Sequence, residues 1–198
     1  MRDDLVLALG RLGAEANGAA GPEAALWCLT RAAPALLGDP GAALRPNAFR
    51  EEPPPAVRGA CAVFLRMPDG RHHLVAAPVN FPPEQYHERV AIGLGHPGEV
   101  AHTKRPLLLH DTALHQGFVK ILQSFRAGSS MFAPLLWRGD YLGVMICANA
   151  ARGTFGERDL AGLQAMAALG SACFVAQGGP AWLAGLDLTG RPVRETAT

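Results

Sequence analysis

The sequence predicts an α+β fold in which helices from both ends of the chain bracket a central antiparallel sheet. Three observations carry this reading. Two β-hairpin patterns, each with its own turn signal, occupy 60–79 and 129–150. Apolar residues recur at helical spacing in the first 38 residues and again over 157–177. No GxxxxGK[ST] phosphate-binding loop occurs, which disfavours a nucleotide-binding parallel sheet.

In chain order, Leu5, Val6, Ala8, Leu9 and Leu12 set a helical rhythm over 3–15, which Gly18 and Gly21 interrupt. PEAALWCLTRAAPALLG (22–38) restarts it: Pro22 suits the start of a helix, Pro34 a kink and Gly38 a stop. The proline-rich stretch 39–58 has little periodicity and reads as a linker or exposed loop. ACAVFLRM and RHHLVAAPV flank Pro68–Asp69–Gly70, a turn sequence, and so form the first hairpin. NFPPEQYHERVAIGL reads as a loop with a short helix. In GHPGEVAHTKRPLLLHD (95–111), Gly95 and Gly98 let the backbone turn tightly before a short helix at about 98–104. Pro106 stops that helix, 107–109 forms a strand, and Asp111 falls at its end, where a carboxylate caps backbone amides or meets a ligand. TALHQGFVKILQSFRAG reads as a loop leading into a short helix. SSMFAPLLW, the turn Arg138–Gly139–Asp140 and YLGVMICANA make the second hairpin. Glu157 and Asp159 suit the first turn of the last helix, which Gly178–Gly179–Pro180 stops. The expected organisation is helices and linker over 1–58, a core over 59–178, and a peripheral tail over 179–198 on which Trp182 and Leu183 pack back.

The chain has 198 residues, 49% hydrophobic and 18% charged, which fits one domain with an apolar surface or a sizeable interface. Its formal net charge of +1, with no Lys/Arg-rich run, argues against nucleic acid and anionic membrane as partners. Asp3 and Asp4 stand where a secretory leader carries positive charge, and the apolar stretches fall short of the roughly 18 residues of a membrane span, so a cytoplasmic protein is expected. Cys28, Cys61, Cys147 and Cys173 lack C-x-x-C spacing and have apolar neighbours. They read as buried reduced thiols rather than zinc ligands.

Taken together, the motifs resemble the GAF domain family. GLGHPGEVAHTKRPLLLHD is similar to the family's G-x-x-G-x-(V/A)-A-x-T-x-x-P-L-x-x-x-D. SSMFAPLLWRGDYLGVMICAN matches S-x-x-x-x-P-L-x-x-x-G-x-x-x-G, and GTFGERDLAGLQAMAALGSACF matches F-x-x-x-D-x-x-x-L. The resemblance runs over about 60–177, with the helix at 22–38 in the place of the family's leading helix. It implies a GAF-like, PAS-related antiparallel sheet of six or so strands, terminal helices on one face and a ligand pocket on the other. It further implies a sensor that binds a small molecule and acts through a homodimer paired by its helices or through a signalling partner. Strand alternation puts Ser130 and Phe132 on one face and Met131, Ala133 and Leu135 on the other. By the resemblance, the first pair looks into the pocket with Val144 and Ile146, while Met145 and Cys147 face the helices. The ligand-contacting candidates are the aromatics Phe81, Tyr86, Phe118 and Phe132, the polar residues His96, Asp111, His115 and Ser130, and Ile146. No cofactor, metal ligand or catalytic residue is assigned.

Competing readings come from the same residues. All seven histidines fall between 72 and 115, and His96, Glu99 and His102 share a helical spacing, which invites a metal, although HExxH is absent. One group in the family reduces free methionine sulfoxide with pocket cysteines, yet 79–128 contains none. A Ser129 or Ser130, His115, Asp111 triad lacks a nucleophile elbow. Asn149, Phe155 and Asp159 only partly echo the family's cyclic-nucleotide signature and read as a strand exit and helix N-cap. An interaction module whose pocket is filled by its own side chains is the remaining alternative.

Overall fold

The computed structural model describes residues 2–196. Helices α1 (Arg2–Asn17) and α2 (Pro22–Leu36) precede an irregular proline-rich stretch with one 3₁₀ turn. Strands β1 (Gly59–Arg66), β2 (His72–Val79) and β3 (Arg89–Ala91), helix α3 (Gly95–Thr103) and strand β4 (Leu107–Leu109) follow. The chain ends with β5 (Ser129–Trp137), β6 (Asp140–Asn149), α4 (Glu157–Ala176), α5 (Gly179–Ala184) and β7 (Val193–Arg194). The strands form one seven-stranded sheet in the order β4-β5-β6-β1-β2-β3-β7. Neighbours are antiparallel except β3 and β7, which run parallel, so the tail turns the expected antiparallel sheet into a mixed one.

The two faces of the sheet carry separate cores. On one face Val63, Leu65, Met131, Ala133, Leu135, Met145 and Cys147 pack with Leu26 and Leu29 of α2 and Leu163 and Met166 of α4. On the other, Ala62, Phe64, Phe132, Val144 and Ile146 pack with Val100 of α3, Leu109 of β4 and Ile121. This is the sorting that period-two alternation predicts for the second hairpin. Helix α4, with a mean hydropathy of 1.4, is long and apolar enough to span a membrane, but half of that window is buried inside the fold. That is how a central core helix reads.

Four local expectations change. Helix α3 begins at Gly95 rather than 98, because Gly95 takes the left-handed φ of +60° at its entry and Gly98 lies inside the helix. The segment after β4 forms one 3₁₀ turn, Thr112–Leu114, and then a loop without the expected helix. The stretch 80–94 gives a 3₁₀ turn and the short strand β3. Pro180 does not only end α4; it starts α5, since its fixed φ and missing N–H suit a first helical turn. Leu183 of α5 is buried, and Trp182 meets Phe174 edge-on at 6.2 Å, so the tail does pack back.

His73 of β2 is fully buried, with Nε2 2.8 Å from the Tyr141 hydroxyl and Nδ1 without a partner among the described residues. Burial, and then the charge of Arg66, push its pKa down to about 4. The unfolded chain protonates this ring below about pH 6.5 while the native state keeps it neutral. Stability therefore declines as pH falls from about 6.5 towards 4, by roughly 3 kcal/mol from this one group. Urea unfolding at pH 7 and pH 4.5 checks it: His73→Gln is expected to lose less stability between the two pH values than the parent.

Candidate functional site

Phe64 of β1, Ser130 and Phe132 of β5, and Ile146 and Ala148 of β6 project from the face away from α2 and α4. Alternation puts them there. His96 and Pro97 of α3 form a wall, Phe81 closes one end, and Phe118, Val119, Ile121 and Leu122 of the loop after β4 form a roof. Between them lies a cavity of about 40 Å³. That is well below the roughly 150 Å³ of an engineered apolar cavity that takes benzene. The lining contains no Asp, Glu, Lys, Arg or Cys.

His96 is its most distinctive polar group. Only 6% exposed, its ring stacks near Phe132 at 5.8 Å, tilts against Phe118 at 5.7 Å and meets His115 edge-on at 5.9 Å. Its Nδ1 is buried with no hydrogen-bond partner among the described residues. Burial lowers its pKa, against the pull of Glu99 and with the help of His115, so the ring is neutral at pH 7. Ser129 donates to the Ala151 carbonyl at 2.7 Å, whereas the neighbouring Ser130 makes no side-chain hydrogen bond among the described residues.

Six of the nine candidates, Phe81, His96, Phe118, Ser130, Phe132 and Ile146, meet around this cavity. His115 is exposed and touches it only through the His96 ring. Tyr86 lies elsewhere: its ring stacks on His87 at 3.9 Å and its hydroxyl donates to Glu23 of α2 at 2.9 Å. Burial and that hydrogen bond push its pKa to about 12. Asp111 is also away from the cavity. It pairs with Arg50 and Arg152 and accepts from the Ala113 amide at 3.0 Å, so it serves as a cap rather than a wall. Burial opposes, but these partners hold its carboxyl below the usual range. Sequence reasoning missed Phe64, which alternation along β1 marks, and Ile121 and Leu122, which sit in a loop with no periodicity.

Among the described residues no group of three or more His, Cys, Asp and Glu side chains comes together as a metal site. His72, opposite in direction to His73, is clasped by Asp69 and Glu195. Cys61 and Cys147 are buried opposite each other on β1 and β6, on the helix-covered face, and burial followed by the Cys147 contact raises the Cys61 thiol pKa. Asn149 caps the Ala151 amide at 2.9 Å and Asp159 accepts from Gly156 at 2.9 Å, which are the strand-exit and N-cap roles.

A family model described as GAF domain matches residues 56–173. Among solved structures, the GAF domain of an Acinetobacter phosphoenolpyruvate-protein phosphotransferase superposes with a TM-score of 0.71 at 17% identity, covering 90% of this chain and 97% of that one. Residues 122–287 of a methyl-accepting chemotaxis protein give 0.64 at 11% identity, covering 84% and 96%. A free methionine-R-sulfoxide reductase from Neisseria meningitidis, in complex with its substrate, gives 0.52 at 18% identity, covering 61% and 69%. At these identities the likeness is one of fold. No curated protein matches the chain.

Proposed function

Because the chain belongs to the GAF domain family, typically a sensory and regulatory module, we propose that it binds a small molecule in this cavity and passes occupancy to a partner protein or a second copy of itself. The observation that carries the reading is the buried, unpartnered Nδ1 of His96 in the wall of an apolar cavity roofed by an irregular loop. Buried polar atoms are ordinarily satisfied, so one left free calls for an explanation, and at His96, unlike the equally unpartnered His73, the residue lines a cavity that a ligand could enter. Ligand would favour one state of the roof and so shift the population of the whole domain. A thermal-shift screen followed by native mass spectrometry tests this. A saturable shift with a one-to-one mass increment supports it; a broad library with no binder defeats it.

The output surface we assign to α1, where Val6 and Leu7 are 70% and 58% exposed. Two large apolar side chains on an outward helix face fit a dimer or partner seam. Light scattering on the parent and on Val6→Glu/Leu7→Glu checks the dimer: it is expected to become a monomer, and an unchanged mass rules out a dimer seam there.

A second reading has its own observation. The cavity is narrow enough to count as filled by Phe118, Phe132 and Ile121, which suits an interaction module without ligand. A redox reading gains nothing from the structure, since no cysteine lines the cavity and Cys61 and Cys147 face the helices.

A further inference from the structure

If the cavity is the sensing site, its lining also specifies what it senses. The walls include Phe64, Phe81, Phe118, Phe132, Ile121 and Ile146, and among the described residues no charged side chain lines the cavity. A charged ligand would lose its hydration there and gain no counter-charge, which is prohibitive for an ionised group. That cost disfavours nucleotides, carboxylates and zwitterionic amino acids. The polar groups on offer are few and neutral: the imidazole of His96 and Ser130. The His96 and Phe132 rings lie within 25° of parallel, with Phe118 tilted at 44° to His96, so the site is built of flat faces that suit another flat ring.

We infer that the ligand is a neutral, single- or fused-ring aromatic compound with one hydrogen-bonding substituent, of the phenol or indole class. Its ring packs among Phe64, Phe118 and Phe132, and its single N–H or O–H meets the His96 imidazole or Ser130. The cavity of about 40 Å³ does not hold such a ring, so the roof must lift. The Phe118–Val119 end of the roof is the part able to do so. Phe118 and Val119 are half-buried, and their stretch carries no helix or strand. The floor, by contrast, is held by the β1–β6 and β5–β6 ladders.

Phenol, indole, toluene and benzoate, titrated into the full chain, separate the outcomes, with the Ile146 and Ala148 methyl resonances as the site-specific readout. Phenol and indole are expected to shift those resonances saturably, and benzoate to bind at least about a hundredfold more weakly. His96→Phe/Ser130→Ala is expected to weaken phenol by about tenfold while leaving toluene unchanged. Urea unfolding of that variant confirms that it folds. Benzoate binding as tightly as phenol, or the double variant weakening toluene and phenol alike, would overturn the assigned class while leaving the cavity a binding site. If none of the four moves the Ile146 and Ala148 resonances, the class falls; if no member of the broad library does so either, the sensing reading falls with it.

Discussion

Replacing Arg194 with methionine is expected to destabilise the protein by about 3–5 kcal/mol, although the residue lies in the tail of the chain. Arg194 of β7 and Glu88 are both nearly buried, with side chains 8% and 6% exposed, and Nε donates to Oε1 at 2.9 Å. Gln85 completes the network: its Nε2 donates to Glu88 at 2.8 Å and to the Ile121 carbonyl at 2.9 Å, and its Oε1 accepts from the Gln123 amide at 3.0 Å. Arg194 also reaches the Lys120 carbonyl at 3.4 Å. Removing the guanidinium leaves the Glu88 carboxylate buried with one neutral donor, and that uncompensated charge accounts for most of the cost. The double variant Glu88→Leu/Arg194→Met removes both charges and is expected to regain most of the loss, since a buried pair can often be replaced by apolar groups at little net cost. Urea unfolding of parent, single and double variants decides it. A single variant within about 1 kcal/mol of the parent would refute the argument. The same network pins the Lys120–Gln123 end of the cavity roof and leaves Phe118 and Val119 outside it, so hydrogen exchange at Gln123 is expected to quicken in the single variant.

This network explains which parts of the molecule were legible in the sequence and which were not. The hairpins were legible because each combines local alternation with a local turn: Pro68–Asp69–Gly70 and Arg138–Gly139–Asp140 set register within a few residues. Ser130, Phe132 and Ile146 followed from alternation and His96 from the family's motif order, whereas Phe81 and Phe118 were legible only as aromatics near the expected pocket. Strand β7 was not legible, because two residues hold no period, and one of them is a buried arginine whose partner lies 106 positions away. Asp111 is similar. Its place at a strand end suits a cap and a ligand equally, and only the arrival of Arg50, 61 positions upstream, assigns it to the first. Tyr86 looked like a pocket aromatic because its neighbours in sequence are; Glu23, on a helix near the other end of the chain, draws it away. Local pattern specified the scaffold, and long-range charge pairing decided which polar residues stayed free to meet a ligand.

Gly98→Ala is expected to cost about 3 kcal/mol, whereas Gly10→Ala in α1 is expected to stabilise by about 0.5–1 kcal/mol. The motif GHPG invites the view that both glycines serve a turn, but only Gly95 has a positive φ. A Cβ at Gly98 would sit 2.3 Å from the carbonyl carbon of Gly93 and 2.5 Å from its oxygen. Both atoms are backbone, so nothing flexible can yield, and α3 must move off the segment that leads into it. That movement carries His96 and Pro97 with it, since they occupy the same turn of α3 as Gly98. Gly10 is the control: it has nothing within 4 Å of a built Cβ, and there alanine only removes backbone entropy from the unfolded chain. Urea unfolding of the two variants tests the difference in sign. If Gly98→Ala matches Gly10→Ala, the glycine is not held by close approach. If it is destabilised as expected, ring-proton shifts of His96 and Phe132 are expected to change as well, because the cavity wall then rests on a missing side chain at position 98.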